Sequence, residues 1–457
     1  MMTDLSILSA RATGLILVIG LFVILLLHVV LLLPFSITIG FVIFLIISVF
    51  FMHKPLWGFL SIIVIRTSVD FLDTYFSLPI TETINLNVAS LLALSLITMM
   101  AAISIPNYKK FIHTPLIFSF SAFILFSGIS IIYSIDIGAT FEETVRIISI
   151  FATFVLGHMF CVAIPGARKT IISTILFASI LPITFALFQL VTNTGFSDNT
   201  GTDGRLFGTF KHPNSFASFL IIIISLLTYR VFSSFEEPAD RRSKTLFLTL
   251  TIGLLILTFS RGGWFALIIF FGIFTLLRAP KVLFISIAIG IILFFVSPAI
   301  HDRIEDVYNP PADSSVRWRF QQWKNAISAW QLSPIYGYGA GTEIAIFERE
   351  QGFYAGNPYT HNDMIKVLQE TGIVGLALFL ILILTTLTRL IITHHKLPMG
   401  NDRLFVLVVI LLFIAEFSFG MSSNIWRSTA IQWLIWLMIA CALSYRTSEK
   451  TFTISRK

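Results

Sequence analysis

A chain of 457 residues that is 56% hydrophobic and only 12% charged, with a mean hydropathy of +0.89, lies far from a soluble domain, where about a quarter of residues carry charge. Water is not its principal solvent. The formal charge of +7 would suggest nucleic acid as a partner in a soluble chain, but where the basic residues fall makes that reading improbable.

Hydropathy broken at Pro, Gly and charge gives about fourteen candidate helical spans, each crossing needing roughly 20 residues. In chain order they fall near 13–33, 36–52, 55–66, 86–105, 115–133, 144–164, 169–192, 212–230, 245–259, 262–278, 281–298, 362–391, 404–422 and 427–445. The first is longer than a signal-peptide core and no small-residue cleavage pattern follows it, so it reads as a retained span. Arg11, Lys54, Lys109, Lys110, Arg168, Lys169, the run from Arg230 to Lys244, Arg278, Lys281, the run from Arg389 to Arg403 and the tail after Arg446 occupy alternate loops. By the positive-inside rule those loops and both termini are cytoplasmic. Opposite loops such as Asp70 to Glu82 and Asp136 to Glu143 are acidic. The expected fold is therefore all-α and polytopic, with about 14 transmembrane helices and one large extracytoplasmic loop. Four units follow: a bundle over 1–192, spans with basic outward motifs over 193–298, the outward loop 299–361, and C-terminal spans with a tail over 362–457. Cys161 and Cys441 sit in apolar runs far apart in sequence, which supports neither a disulfide framework nor a cysteine metal site.

Three outward segments carry basic residues against that rule. They are Asn193 to His212 with Arg205, Lys211 and His212, the turn Ser260-Arg261-Gly262-Gly263, and the long stretch from about Ile300 to Thr360. A loop of that length is more often functional than a linker. Within it Val316, Phe320, Trp323, Ile327 and Trp330 recur at helical spacing, flanked by Arg317, Lys324 and Arg319, which predicts an amphipathic helix that either lies on the outer leaflet or caps a cavity.

In order along the chain, Arg205-Leu206-Phe207-Gly208 leading into His212-Pro213-Asn214-Ser215, then Ser260-Arg261-Gly262-Gly263-Trp264, Pro334-Ile335-Tyr336-Gly337-Tyr338-Gly339, Thr360-His361-Asn362-Asp363 and Gln369-Glu370-Thr371-Gly372 resemble the O-antigen ligase and O-antigen polymerase superfamily. The resemblance covers roughly residues 200–380. It implies an inverting, metal-independent glycosyltransferase of the bacterial inner membrane with no cofactor and about twelve spans, so that the expected count becomes about 12–14 transmembrane helices. Such an enzyme takes a glycan from an undecaprenyl diphosphate carrier at the outer face. The acceptor is a lipid A core sugar for a ligase, slightly favoured here, and a second lipid-linked glycan for a polymerase. Membrane lipids are the remaining partners, and nucleic acid is not one.

The residues fit that chemistry. A diphosphate leaving group accumulates negative charge as its bond breaks, and a guanidinium fork pairs with phosphate oxygens. Arg205 and Arg261 are the candidates for this role, set against the alternative of arginines snorkelling at the interface. Lys211, His212, Arg317 and Arg319 are candidate diphosphate or sugar ligands, although His212 also suits a helix start before Pro213 and the two arginines also suit a solvated helix face. Thr360 and Asp363 have the spacing of a capping box, which places His361 in the first turn of the next span, where the dipole and nearby arginines lower its pKa and leave a neutral base. Asn362 either orients it or binds sugar hydroxyls. Gly337, Gly339 and Gly341 follow no strand, so they read as a flexible turn rather than a phosphate cradle. Glu416, inside a span, is either functional or paired to a neighbouring helix. A transporter of lipid-linked glycans is the rival class, but it would place polar groups at the midplane and repeat between halves.

Overall fold

In the computed structural model, residues 10–31, 35–68, 70, 77–79, 85–196, 204–234, 238–310, 314–352 and 359–445 are described. The basic tail after Arg446 and the acidic Glu82 lie outside them. The chain opens with α1 (Ala10–Leu31), α2 (Phe35–His53) and α3 (Pro55–Ser68), and a short antiparallel pair, β1 (Ser77–Pro79) with β2 (Asn85–Asn87), leads into α4 (Val88–Ser104). After the short α5 (Tyr108–Ile112) come α6 (Ile117–Ile129) and α7 (Ile137–Ala163). Next, α8 (Ala167–Ala178) and α9 (Ile180–Thr192) follow one another across Ser179, ahead of α10 (Pro213–Phe232) and α11 (Pro238–Leu257). A π turn joins α12 (Arg261–Leu267) to α13 (Ile273–Arg278). The helix α14 (Pro280–Val296) bends by 92° into α15 (Pro298–Tyr308). Together with α15, the helices α16 (Ser315–Leu332) and α17 (Glu343–Gln351) occupy the described part of the stretch read as an outward loop, and α18 (Asp363–Lys396), α19 (Asn401–Gly420) and α20 (Thr429–Leu443) follow.

Each apolar run read from hydropathy coincides with one helix or a consecutive pair. Among the described residues six helices are long and apolar enough to cross a membrane, seven if the bent α14–α15 pair counts as one, with six shorter apolar helices beside them. The protein is an all-α, multi-pass membrane protein whose strand content among the described residues is the β1–β2 pair.

Helices apolar on every side belong in the interior, and α10, α19 and α20 behave so. Every residue of α20 from Ala430 to Leu443 is buried. Gly157 lets α7 approach it, since a Cβ there would lie 2.5 Å from Leu437 Cδ1. Trp436 packs edge-on against Phe120 at 4.4 Å between ring centroids, the arrangement aromatic quadrupoles favour. By contrast α14 buries none of its residues and exposes Phe284, Ile285 and Phe295, as a lipid-facing helix does.

The loops separate into two ends. At one, the site end, Asp70 and the segments Tyr133–Glu143, Arg205–Asn214, Thr258–Arg261, Arg303–Asp306, Ser314–Glu343, Thr360–Asp363 and Met421–Arg427 meet through hydrogen bonds and ion pairs described below. At the far end Arg168 donates to Ser444 Oγ at 2.8 Å and stacks 3.3 Å above the Tyr445 ring, whose hydroxyl bonds Asp402 at 2.8 Å. Cys161 and Cys441, distant in sequence, are free thiols whose sulfurs stand 3.5 Å apart where α7 meets α20. Sequence separation hid that contact.

Candidate active site

The motif at Ser260 is a helix start wedged between two others. Helix α11 ends at Leu257, Phe259 takes a left-handed φ of 49°, and the Ser260 hydroxyl accepts from Gly263 N at 3.2 Å to cap α12. A Cβ at Gly262 would stand 2.5 Å from the Phe419 ring of α19, and one at Gly263 would stand 2.8 Å from Ala217 Cβ of α10. Two glycines therefore let the N-terminus of α12 seat against both core helices, which fixes where Arg261 emerges. Its guanidinium donates Nη1 to Asp306 of α15 and Nη2 to Ser315 Oγ of α16 at 2.7 Å.

Arg205 arrives from the preceding outward segment. Its backbone pairs with Phe196, and its buried side chain donates Nε to the Thr258 carbonyl at 3.0 Å and Nη2 to Asn214 Oδ1 at 3.4 Å. Asn214 also accepts from Ser260 Oγ at 2.9 Å and donates to Ser423 Oγ at 3.2 Å. One amide thus ties the starts of α10 and α12 to the α19–α20 loop. Arg319, on α16, lies within electrostatic reach of Arg261, Arg205 and Arg303, and burial followed by these three charges pushes its pKa down to about 10. It remains a cation at neutral pH. Asp306 answers the group: partial burial works against its ionisation, but hydrogen bonds with Ser314 and Arg261 and the charges of Arg261 and Arg303 hold it below the usual carboxylate range. Four guanidiniums facing one such carboxylate leave net positive charge. The N-termini of α10, α12 and α16 start beside it, with His212, Ser260 and Ser314 as their caps. Both features favour an anion.

His361 stands at the edge of this group. The expected capping box does not form, because Asn362 is the cap of α18, its Oδ1 accepting from Met364 N at 3.0 Å and Ile365 N at 3.1 Å. Asn is a better cap than Thr, and Thr360 is already engaged elsewhere. His361 consequently precedes the helix rather than entering its first turn, in a left-handed φ of 50° that is uncommon outside glycine. Its ring meets Trp318 edge-on at 5.6 Å. Burial first, then Arg319, His212 and Arg427, lower its pKa to about 3. The direction matches the sequence reading, but desolvation rather than a helix dipole is the main cause. The imidazole is neutral at physiological pH.

What holds His361 there is a buried ionic chain that the motifs did not reveal. Glu343 Oε1 accepts from both Thr360 N and Thr360 Oγ1, at 2.7 and 2.8 Å. Glu370 accepts from Glu343 N at 3.2 Å, Gly341 N at 3.0 Å and Lys366 Nζ at 2.8 Å. Lys366 reaches Glu143 at 3.3 Å, and Glu143 receives both prongs of Arg146 at 2.7 Å. Gly337, Gly339 and Gly341, expected as a flexible turn, are instead clamped: Tyr338 N and Gly339 N both donate to the Glu370 carbonyl. A Cβ on Gly337 would come within 2.3 Å of that oxygen. Gly372, at φ 63°, breaks the helical course of α18 where Ile335 O presses on it, 2.2 Å from a would-be Cβ.

The structure therefore brings Arg205, Arg261, Arg319 and His361 together, with His212 close by. His212 caps α10 through Nδ1, which accepts from Asn214 N at 3.0 Å. Arg317 points to solvent and stands outside the arginine group, and the Lys211 side chain is also exposed while its backbone N–H bonds Asp70 at 3.3 Å. The apolar stripe of α16 is not its packed face: the helix buries Gln322, Ala326 and Ala329, while Phe320 is 54% exposed. Stripe and packed face differ by about one residue of rotation, 100° on a helix. Glu416 is buried, paired with Ser218 Oγ of α10 at 2.5 Å. Sequence reading missed Arg303, Asp306, Ser315, Glu343 and Arg427. The signal for Arg427 was present, a basic residue on the side that the distribution of charge expects to face outward.

Residues 246–380 match the O-antigen ligase family, a stretch holding Arg261, Arg303, Arg319, Glu343 and His361 but not Arg205. The chain is similar to a "Putative polysaccharide ligase" of Rickettsia felis, 26% identical over 347 residues, covering 71% of this chain and 78% of that protein. It also aligns, at 14% identity and a TM-score of 0.43, with a chain of a solved structure described as "Structural coordination of polymerization and crosslinking by a peptidoglycan synthase complex", covering 72% of this chain and 98% of that one.

Proposed function

We propose, from the premise that the chain belongs to the O-antigen ligase superfamily, that it joins a glycan carried on undecaprenyl diphosphate to a hydroxyl of lipid A core at the outer face of the bacterial inner membrane. The observation that carries this reading is the convergence of Arg205, Arg261, Arg303 and Arg319 beside a neutral histidine. The cations receive the diphosphate and stabilise the charge that grows on it as the bond to the anomeric carbon breaks. His361 takes the acceptor hydroxyl's proton as the new bond forms on the opposite face of that carbon, which inverts it. The site end is then extracytoplasmic, and both termini are cytoplasmic.

A polymerase would use the same donor machinery with a second lipid-linked glycan as acceptor, and the name given to the Rickettsia felis relative favours the ligase. Deleting the gene in its host and examining the lipopolysaccharide tests the choice. Loss of all long chains from the core, with lipid-linked polymer accumulating, supports the ligase; a core bearing a single repeat supports the polymerase.

A further inference from the structure

The buried face of α16 runs through two environments. Its early turns present Arg319 to the arginine group, and its later turns present Gln322, Ala326 and Ala329 to a separate small cavity between α16, α17 and α18. The polar walls of that cavity come from Gln322, Asn325, Glu343, Thr360 and Gln369, with Phe347 alongside, and its volume is about 20 Å³. Glu343 is 1% exposed, and its Oε2 makes no hydrogen bond, with Arg427 Nη1 at 3.7 Å as its ion-pair partner. Thr360 belongs to the cavity wall and His361 follows it in the chain. The cavity wall is therefore one residue away from His361 along the chain, through Thr360, whose N–H and hydroxyl both bond Glu343.

We infer that this second cavity is a subsite for the acceptor sugar. Buried amides and a carboxylate oxygen in need of a donor suit hydroxyl groups, which both donate and accept. The volume admits about one water-sized group, so a single hydroxyl or hydroxymethyl substituent enters while the ring stays outside. Glu343 and Glu350 at the wall disfavour an anionic substituent there. The subsite rests on the ligase reading for its role, but sugar occupancy is measurable without any transfer.

Full-length protein in lipid nanodiscs, titrated with methyl glucoside and followed by saturation-transfer NMR, tests it. Saturable binding is expected, weakened about three- to tenfold by Gln322→Ala and by Gln369→Ala, the loss of one hydrogen bond each, and unchanged by Lys324→Ala on the exposed side of the same helix. Methyl glucuronoside should bind more weakly than the glucoside. A diazirine-bearing glucoside, photolysed with unmodified protein, should mark the peptides containing Gln322 and Glu343, which keeps the inference testable if a variant fails to fold. Absence of saturable binding, equal affinity in all variants, preference for the uronate, or adducts confined to other segments would each overturn it. Glucoside bound at this site by a protein that transfers no glycan would leave the subsite standing and defeat the ligase reading.

Discussion

Donor binding should raise the pKa of His361, and the rise should appear as a difference between two pH profiles. In the free protein the imidazole is held at about 3 by burial and by Arg319, His212 and Arg427, which makes it a weak base. A diphosphate among the arginines adds negative charge close to the ring. At an effective dielectric of about 20 and a separation of roughly 8 Å, each added charge contributes about 2 kcal/mol, or about 1.5 pKa units. Two charges would raise it by about 3 units, toward the range a general base needs. The sign is fixed: a depressed histidine gains a proton as pH falls, so activity is retained above the pKa and lost below it. The acid limb of kcat/KM, which reports the free enzyme, should therefore lie about 2–3 units below that of kcat. Steady-state transfer to a defined acceptor, measured over pH with ionic strength constant, gives both. Coincident acid limbs, or a kcat limb at the lower pH, would refute the electrostatic coupling between base and donor.

Arg261→Lys keeps the charge but cannot reach Asp306 and Ser315 Oγ together, so one charged hydrogen bond is lost and transfer should fall about 10- to 100-fold; near wild-type transfer in steady-state kinetics would contradict the fork. Gly372→Ala places a Cβ against Ile335 O and forces an alanine into a strained φ, costing about 1–3 kcal/mol, so the temperature of half-inactivation should drop clearly, whereas Gly290→Ala in open space should leave it unchanged. In an otherwise cysteine-free protein, a membrane-impermeant maleimide should label Ser328→Cys of α16 in intact spheroplasts and spare Ser243→Cys of α11; the reverse pattern would invert the topology.

What could be read from the sequence was whatever acts over a short stretch. A run of apolar residues marks a helix wherever it sits, so the spans from Pro213 to Phe232 and Asn401 to Gly420 were visible within a few residues. Arg205 and Arg261 stood out because a cation in a loop expected to face outward opposes the topogenic rule. Features requiring two distant segments were hidden. The Cys161–Cys441 contact joins residues 280 apart, and Glu343 matters only because α17 folds against Thr360. At the start of α18 two capping patterns overlapped, Thr360 with Asp363 and Asn362 alone, and the choice depended on Glu343 claiming Thr360 first. The α16 stripe left two places open, the outer leaflet or a cavity wall, and only the fold shows which face packs against protein: Gln322, Ala326 and Ala329 are buried while Phe320 of the stripe is exposed.

In the proposed reaction proton removal and donor binding belong to different residues of one site. His361→Ala and Arg261→Ala should therefore be compared for binding of an undecaprenyl diphosphate analogue and for single-turnover transfer. His361→Ala should bind the analogue normally while transferring about 10²–10⁴-fold more slowly, and Arg261→Ala should lose binding itself. Near wild-type transfer by His361→Ala, or a loss of binding in it as severe as that of Arg261→Ala, would contradict the assignment of the histidine as the base.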